Sequence, residues 1–103
     1  MDRADAVFAA LADPTRRSVL ETLSREDTVT ASRLATELPI SRQAVAKHLG
    51  ALREARLVSS ERIGRETLYK LQPEPLGEVA TWIRTVGAQW DQRLDALERA
   101  LQR

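Results

Sequence analysis

Pro39 restricts what this chain can fold into more than any other residue. It interrupts an otherwise continuous run of helix-forming residues, ASRLATELPISRQAVAKHLGALREARLV, between Ala31 and Val58. A proline pushes the residue before it out of the helical region and removes a backbone donor, so a single long helix cannot form there. Two shorter helices are expected instead. Thr30 is placed to cap the first, with Leu34, Ala35 and Leu38 inward, and Ser41 to cap the second, which runs to about Glu54 with Val45, Leu49 and Leu52 inward. Joined through Leu38-Pro39-Ile40, they make a helix-turn-helix pattern over about 30–54.

The flanking stretches read just as locally. Val7, Phe8 and Leu11 mark a short first helix, and Asp13-Pro14 ends it and caps the next, whose inner face is Val19, Leu20 and Leu23. From Leu57 the period changes: LVSSERIGRETLYKL alternates, is rich in Val, Ile, Thr and Tyr, and surrounds Gly64. That predicts a β-hairpin over about 57–71 with its tip near Gly64-Arg65, Val58 and Ser60 pairing with Tyr69 and Leu71. Pro73 and Pro75 bracket a break, after which one long helix is expected over about 76–101. Its stripe of Leu76, Val79, Ile83, Val86, Trp90, Leu94, Leu97 and Leu101 advances in steps of three and four, the seam spacing of helices packed on helices. The expected fold is mainly α: one winged helix-turn-helix domain over residues 1–103, with a two-stranded hairpin as the wing and a long C-terminal dimerisation helix.

Charge is uneven along the chain. Residues 42–70 hold seven Lys and Arg against three Asp and Glu, whereas residues 1–41 hold five against seven and residues 71–103 four against five. A basic centre in a nearly neutral protein implies a local site for a polyanion rather than a uniformly cationic surface. With roughly 100° per residue and Val45 at the buried centre of its helix, Gln43, Lys47 and Gly50 fall on the opposite side, flanked by Ala46 and Ala51. Arg42 lies in the first turn, where free backbone N–H groups also favour an anion. Small neighbours let such a helix approach a target closely, and an amide or guanidinium can bond two atoms of one base edge in a major groove. Arg62 and Arg65 near the hairpin tip suit phosphates or a minor groove. A polar outer face alone is the ordinary solvated side of a helix. The order of parts (capped helix, tight turn, basic helix, basic-tipped hairpin) is what points to double-stranded DNA.

These stretches, FAALADPTRRSVLETL and SRQAVAKHLGALREARLVSSERIGRETLYKL, resemble the small bacterial repressors of the ArsR/SmtB family over nearly the whole chain. The resemblance implies a homodimeric repressor on an inverted-repeat operator, with the first and last helices forming the dimer interface. By position it puts Ser41, Arg42, Gln43, Lys47 and His48 on the recognition helix and Arg62 and Arg65 on the wing. Arg53 is expected on the DNA backbone. The implied dimer interface takes in Val7, Phe8 and Leu11 of the first helix and Val79, Ile83, Val86, Trp90, Leu94 and Leu97 of the last.

His48, the one histidine, falls about 60° from Val45 at the edge of the buried face. It is read foremost as a boundary residue bonding locally or to a phosphate, with base contact second. A zinc or copper site needs several ligands, and the chain has no cysteine and no other histidine. Many relatives sense metals through cysteines before the turn or Asp, His and Glu on the last helix. Here Asp91 and Asp95 lie four apart, and a solvated face with Asp95 paired to Arg99 is the expectation over a cation site. Trp82 and Trp90 are read as dimer core before ligand pocket.

No metal and no cofactor is expected, and the inducing signal is unassigned. Catalysis is not expected either, since no paired acid/base cluster or nucleotide-cradling glycine loop is present. Neither a signal-peptide pattern nor an apolar run of about 20 residues occurs, so a soluble cytoplasmic protein with no membrane partner is expected. The rival reading is a winged-helix module for protein–protein contacts.

Overall fold

The structure is a computed structural model and describes residues 3–102. Five helices and one hairpin follow in the order α1 (Arg3–Leu11), α2 (Pro14–Ser24), α3 (Ala31–Glu37), α4 (Arg42–Glu54), β1 (Val58–Ile63), β2 (Glu66–Leu71) and α5 (Glu74–Leu101). The helix starts are written in short-range hydrogen bonds. The Asp13 carboxylate accepts from the backbone N–H of Thr15 at 2.8 Å and of Arg16 at 3.3 Å, Thr30 Oγ1 accepts from Arg33 at 3.1 Å, and Ser41 Oγ accepts from Ala44 at 3.1 Å. Each satisfies donors that a helix end otherwise leaves open.

Helix α4 closes through a Schellman pair. Leu57 N–H donates to Leu52 O and Arg56 N–H to Arg53 O, both at 3.0 Å, with Arg56 left-handed at φ +62°. Leu57 is thereby turned into the core beside Leu52, both with no exposed surface.

The core gathers Val7 and Ala10 of α1, Val19, Leu20 and Leu23 of α2, Leu34 of α3, Val45, Leu49 and Leu52 of α4, then Ala55, Leu57, Val58 and Val79. Burying each large aliphatic side chain among them stabilises the fold by about 1.5–3 kcal/mol.

The hairpin pairs Val58 with Leu71 and Ser60 with Tyr69, in the expected register. Gly64 at φ +63° followed by Arg65 fits a two-residue turn with glycine first, as the right-handed twist of the strands demands. A further pairing, absent from the sequence pattern, holds the wing from the other side. Val29 exchanges two backbone hydrogen bonds with Tyr69, at 3.0 and 2.8 Å, and so ties β2 to the segment between α2 and α3. The wing is therefore fixed against the helix-turn-helix rather than hanging from it.

Two expectations need correcting. The last helix begins at Glu74, not Leu76: Pro73 sits at its cap and Pro75 in its first turn, where a missing N–H costs nothing. Asp95 and Arg99 form no ion pair; those found among the described residues join Arg3 to Glu78 and Arg33 to Glu26 and Glu37. No helix among the described residues is long and apolar enough to cross a membrane.

Candidate nucleic-acid interface

Helix α4 splits cleanly into two faces. Val45, Leu49 and Leu52 have no exposed surface, while Arg42, Gln43, Ala46, Lys47 and Gly50 are exposed. Helix α3 packs against α4 through Leu34, and the turn between them is closed by Leu38 N–H donating to Leu34 O at 3.0 Å and Ile40 N–H to Leu38 O at 2.8 Å. The outer face of α4 is thus held rigidly outward, with its small residues leaving the backbone accessible.

The structure brings Arg42, in the first turn of α4, to the same groove as Arg62 and Arg65 of the wing. This groove, of about 320 Å³, runs between the helix and the hairpin and is also lined by Ala46, Glu66 and Tyr69. Three guanidiniums face one carboxylate there. Three cations against one anion make the potential there positive, with Gln43 and Lys47 exposed on the same helix. Ile63, half-exposed between Arg62 and the tip glycine, adds an apolar side chain at the end of the wing that charge patterning does not pick out.

Arg53 does not join this group. Its Nη1 donates to Ser60 Oγ at 2.9 Å, and it lines a different groove at the base of the wing. A helical wheel cannot show this i, i+7 link from helix to strand.

His48 is half-buried, and its Nδ1 accepts from Arg16 Nε at 3.4 Å, joining α4 to α2. The partner lies 32 positions away, and no pattern in the sequence indicates it. The Asp13 cap lies in the same neighbourhood. Desolvation pushes its carboxyl up, but the backbone N–H bonds from Arg16 and Thr15, then the charges of His48 and Arg16, outweigh it and hold the group below the ordinary carboxylate value.

The expected dimer surface divides in two. Val7 has no exposed surface and Val79 is 6% exposed, so both belong to the protomer's own core and are withdrawn from that surface. Leu11 is partly buried against the same core. Phe8, Ile83, Val86, Trp90, Leu94 and Leu97 are exposed, and Phe8 meets Trp82 edge to face with ring centroids 5.5 Å apart. From Thr81 onward every described residue of α5 is exposed. Trp82 and Trp90 line neither of the two grooves. No three Asp, Glu, His or Cys side chains among the described residues come close enough to share a metal.

A short helix, a tight turn, a basic helix and an arginine-tipped hairpin locked beside it define a winged helix-turn-helix. A helix-turn-helix family model matches residues 11–61. The chain is 45% identical over 78 residues to an uncharacterized HTH-type transcriptional regulator, YuzN, of Bacillus subtilis (strain 168), covering 70% of this chain and 85% of that one. It is 35% identical over 77 residues to the transcriptional repressor SdpR of the same organism, covering 75% and 84%. An ArsR-like transcriptional regulator from Rhodococcus sp. RHA1 superposes with a TM-score of 0.79 at 45% identity, over 94% of this chain and 91% of that one. The chain belongs to the ArsR/SmtB family of helix-turn-helix transcriptional regulators.

Proposed function

We propose that the protein is a homodimeric, sequence-specific repressor that occupies an inverted-repeat operator in double-stranded DNA, and that it acts in the cytoplasm on its own gene or a neighbouring operon. The observation that carries this is the convergence of Arg42, Arg62 and Arg65 on one groove beside the exposed Gln43 and Lys47. In this reading Ser41 caps the reading helix, Gln43 and Lys47 reach base edges, and Arg42 grips backbone or a guanine. Arg62 and Arg65 follow phosphates or the minor groove, and His48 supports the helix from its flank through Arg16.

Dimerisation is supported by the uncovered seam of α5, continuous with Phe8 on α1. Exposed apolar stripes of this length ordinarily mark an interface. Twofold symmetry then sets two reading helices in successive major grooves, roughly 34–36 Å apart. The chain has no thiol, so the releasing signal is not a thiolate-bound metal.

Footprinting on the DNA upstream of the protein's own gene tests the proposal. A protected inverted repeat, bound by two chains, is the expected result. Indifference to duplex DNA at low salt, with retention of a protein partner, would leave the winged-helix interaction module as the reading.

A further inference from the structure

We infer that the groove at the base of the wing is a site for a small oxyanion, a carboxylate or a phosphate, distinct from the DNA-facing groove. It has a volume of about 790 Å³ and lies where the end of α4, the start of β1, the exit of β2 and the first turns of α1 and α5 meet. Arg3, Arg53 and Arg56 face it, against the single carboxylate of Glu74. It shares no lining residue with the groove that holds Arg42, Arg62 and Arg65.

The three guanidiniums are not equally engaged. Arg3 is paired with Glu78 at 3.3 Å and Arg53 donates to Ser60 at 2.9 Å. The Arg56 side chain has no hydrogen-bond or ion-pair partner among the described residues. Its position is also the one where an arginine is least expected. Arg56 holds the left-handed conformation that closes a Schellman motif, φ +62°, a place that favours glycine because a Cβ is strained there. At the wing tip, the other left-handed position among the described residues, the chain does use glycine, Gly64. At the base of the wing it accepts the strain and places an unpaired cation at the edge of the groove.

The hollow completes the recognition set. Ser59 Oγ already accepts from Gln72 Nε2 at 2.8 Å, and Ser60 Oγ accepts from Arg53, so each hydroxyl keeps its own proton for an incoming acceptor. Guanidinium forks with flanking hydroxyls match the flat, two-oxygen edge of a carboxylate or phosphate. An occupant would touch the last turn of the reading helix and the first turn of α5 together, so its binding would bear on the angle between DNA-reading and seam-bearing parts.

The test uses the full-length protein without DNA, so that its outcome does not depend on the operator reading. Inorganic phosphate and citrate are titrated in separate arms at constant ionic strength, with chloride as control, and amide and arginine side-chain shifts are followed by NMR. Saturable shifts at Arg53, Arg56, Ser59 and Gln72 with at least one of the two oxyanions are expected, and the arm that saturates tells phosphate from carboxylate. Arg56→Gly should weaken that binding about ten- to a hundredfold while melting no earlier than the parent chain. Arg53→Gln, which leaves the left-handed residue untouched, should weaken it in the same direction. Shifts that fail to saturate, or that centre on Arg42, Arg62 and Arg65, would overturn the assignment. So would oxyanion binding that is unchanged in both Arg56→Gly and Arg53→Gln, which would place the bound anion elsewhere on the protein.

Discussion

Helices α4 and α5 carry the same kind of apolar seam, spaced in threes and fours, and meet opposite fates. Every inward residue of α4 is covered: Val45, Leu49 and Leu52 retain no exposed surface. On α5 only Pro75 and Val79 are buried, and Ile83, Trp90 and Leu97 stand 55–58% exposed. The molecule spans 70 × 26 × 24 Å because the rest of this 28-residue helix projects from the body. An amphipathic pattern therefore reports that a face will be covered without saying by what. In α4 the cover is the same chain, and the polar face, proposed above to read DNA, is left to solvent. In α5 the cover has to come from elsewhere.

Substitutions can break or sharpen that contrast. The largest effect is expected from Leu49→Ala, which opens a cavity at a fully buried position and should cost about 2–5 kcal/mol in urea unfolding. Trp90→Ala should leave the protomer's helical content intact. On an interface its loss should weaken self-association by at least about 2 kcal/mol, read by sedimentation as a shift toward monomer. An unchanged monomer–dimer equilibrium would show that the α5 seam is covered by something other than a second copy.

The polar side of the comparison gives smaller numbers. Gln43→Ala should cost about 1–3 kcal/mol on the preferred operator and relax selection at one base position. An equal loss on all sequences would show that Gln43 reads no base. Arg65→Ala should weaken binding on every sequence and reduce the salt slope by about one, measured by anisotropy across a salt series.

The smallest effect concerns the Asp13 cap. Because its carboxyl is held below the ordinary value in the folded state, its contribution is fully present above that ordinary value. It is lost as pH falls through the lower folded value. Asp13→Asn, which keeps an accepting oxygen, should flatten this acid limb of the stability profile.

Features confined to a few consecutive residues are legible in the sequence. The caps at Asp13, Thr30 and Ser41, the break at Pro39 and the glycine of the wing tip each rest on bonds or steric limits reaching no more than four residues. The hairpin register is legible too, because a two-residue turn dictates which strand residues meet. The start of α5 falls two residues ahead of its expected place because a proline reads as a breaker unless its position in the first turn is known.

What stays hidden in the sequence lies between elements. Nothing in the pattern of α1 or α5 separates Val7 and Val79, spent inside the protomer, from Phe8 and Ile83 beside them. Nor can it reveal that Arg16 reaches His48, that Val29 pins the wing through Tyr69, or that Arg53 turns to Ser60 and away from Arg42. The sequence by itself determined the elements, their caps, and the helix face that carries Gln43 and Lys47, since periodicity and short-range bonding suffice for these. Only the tertiary structure decided which faces cover one another and which cations share a groove, because those depend on how helices pack across tens of residues.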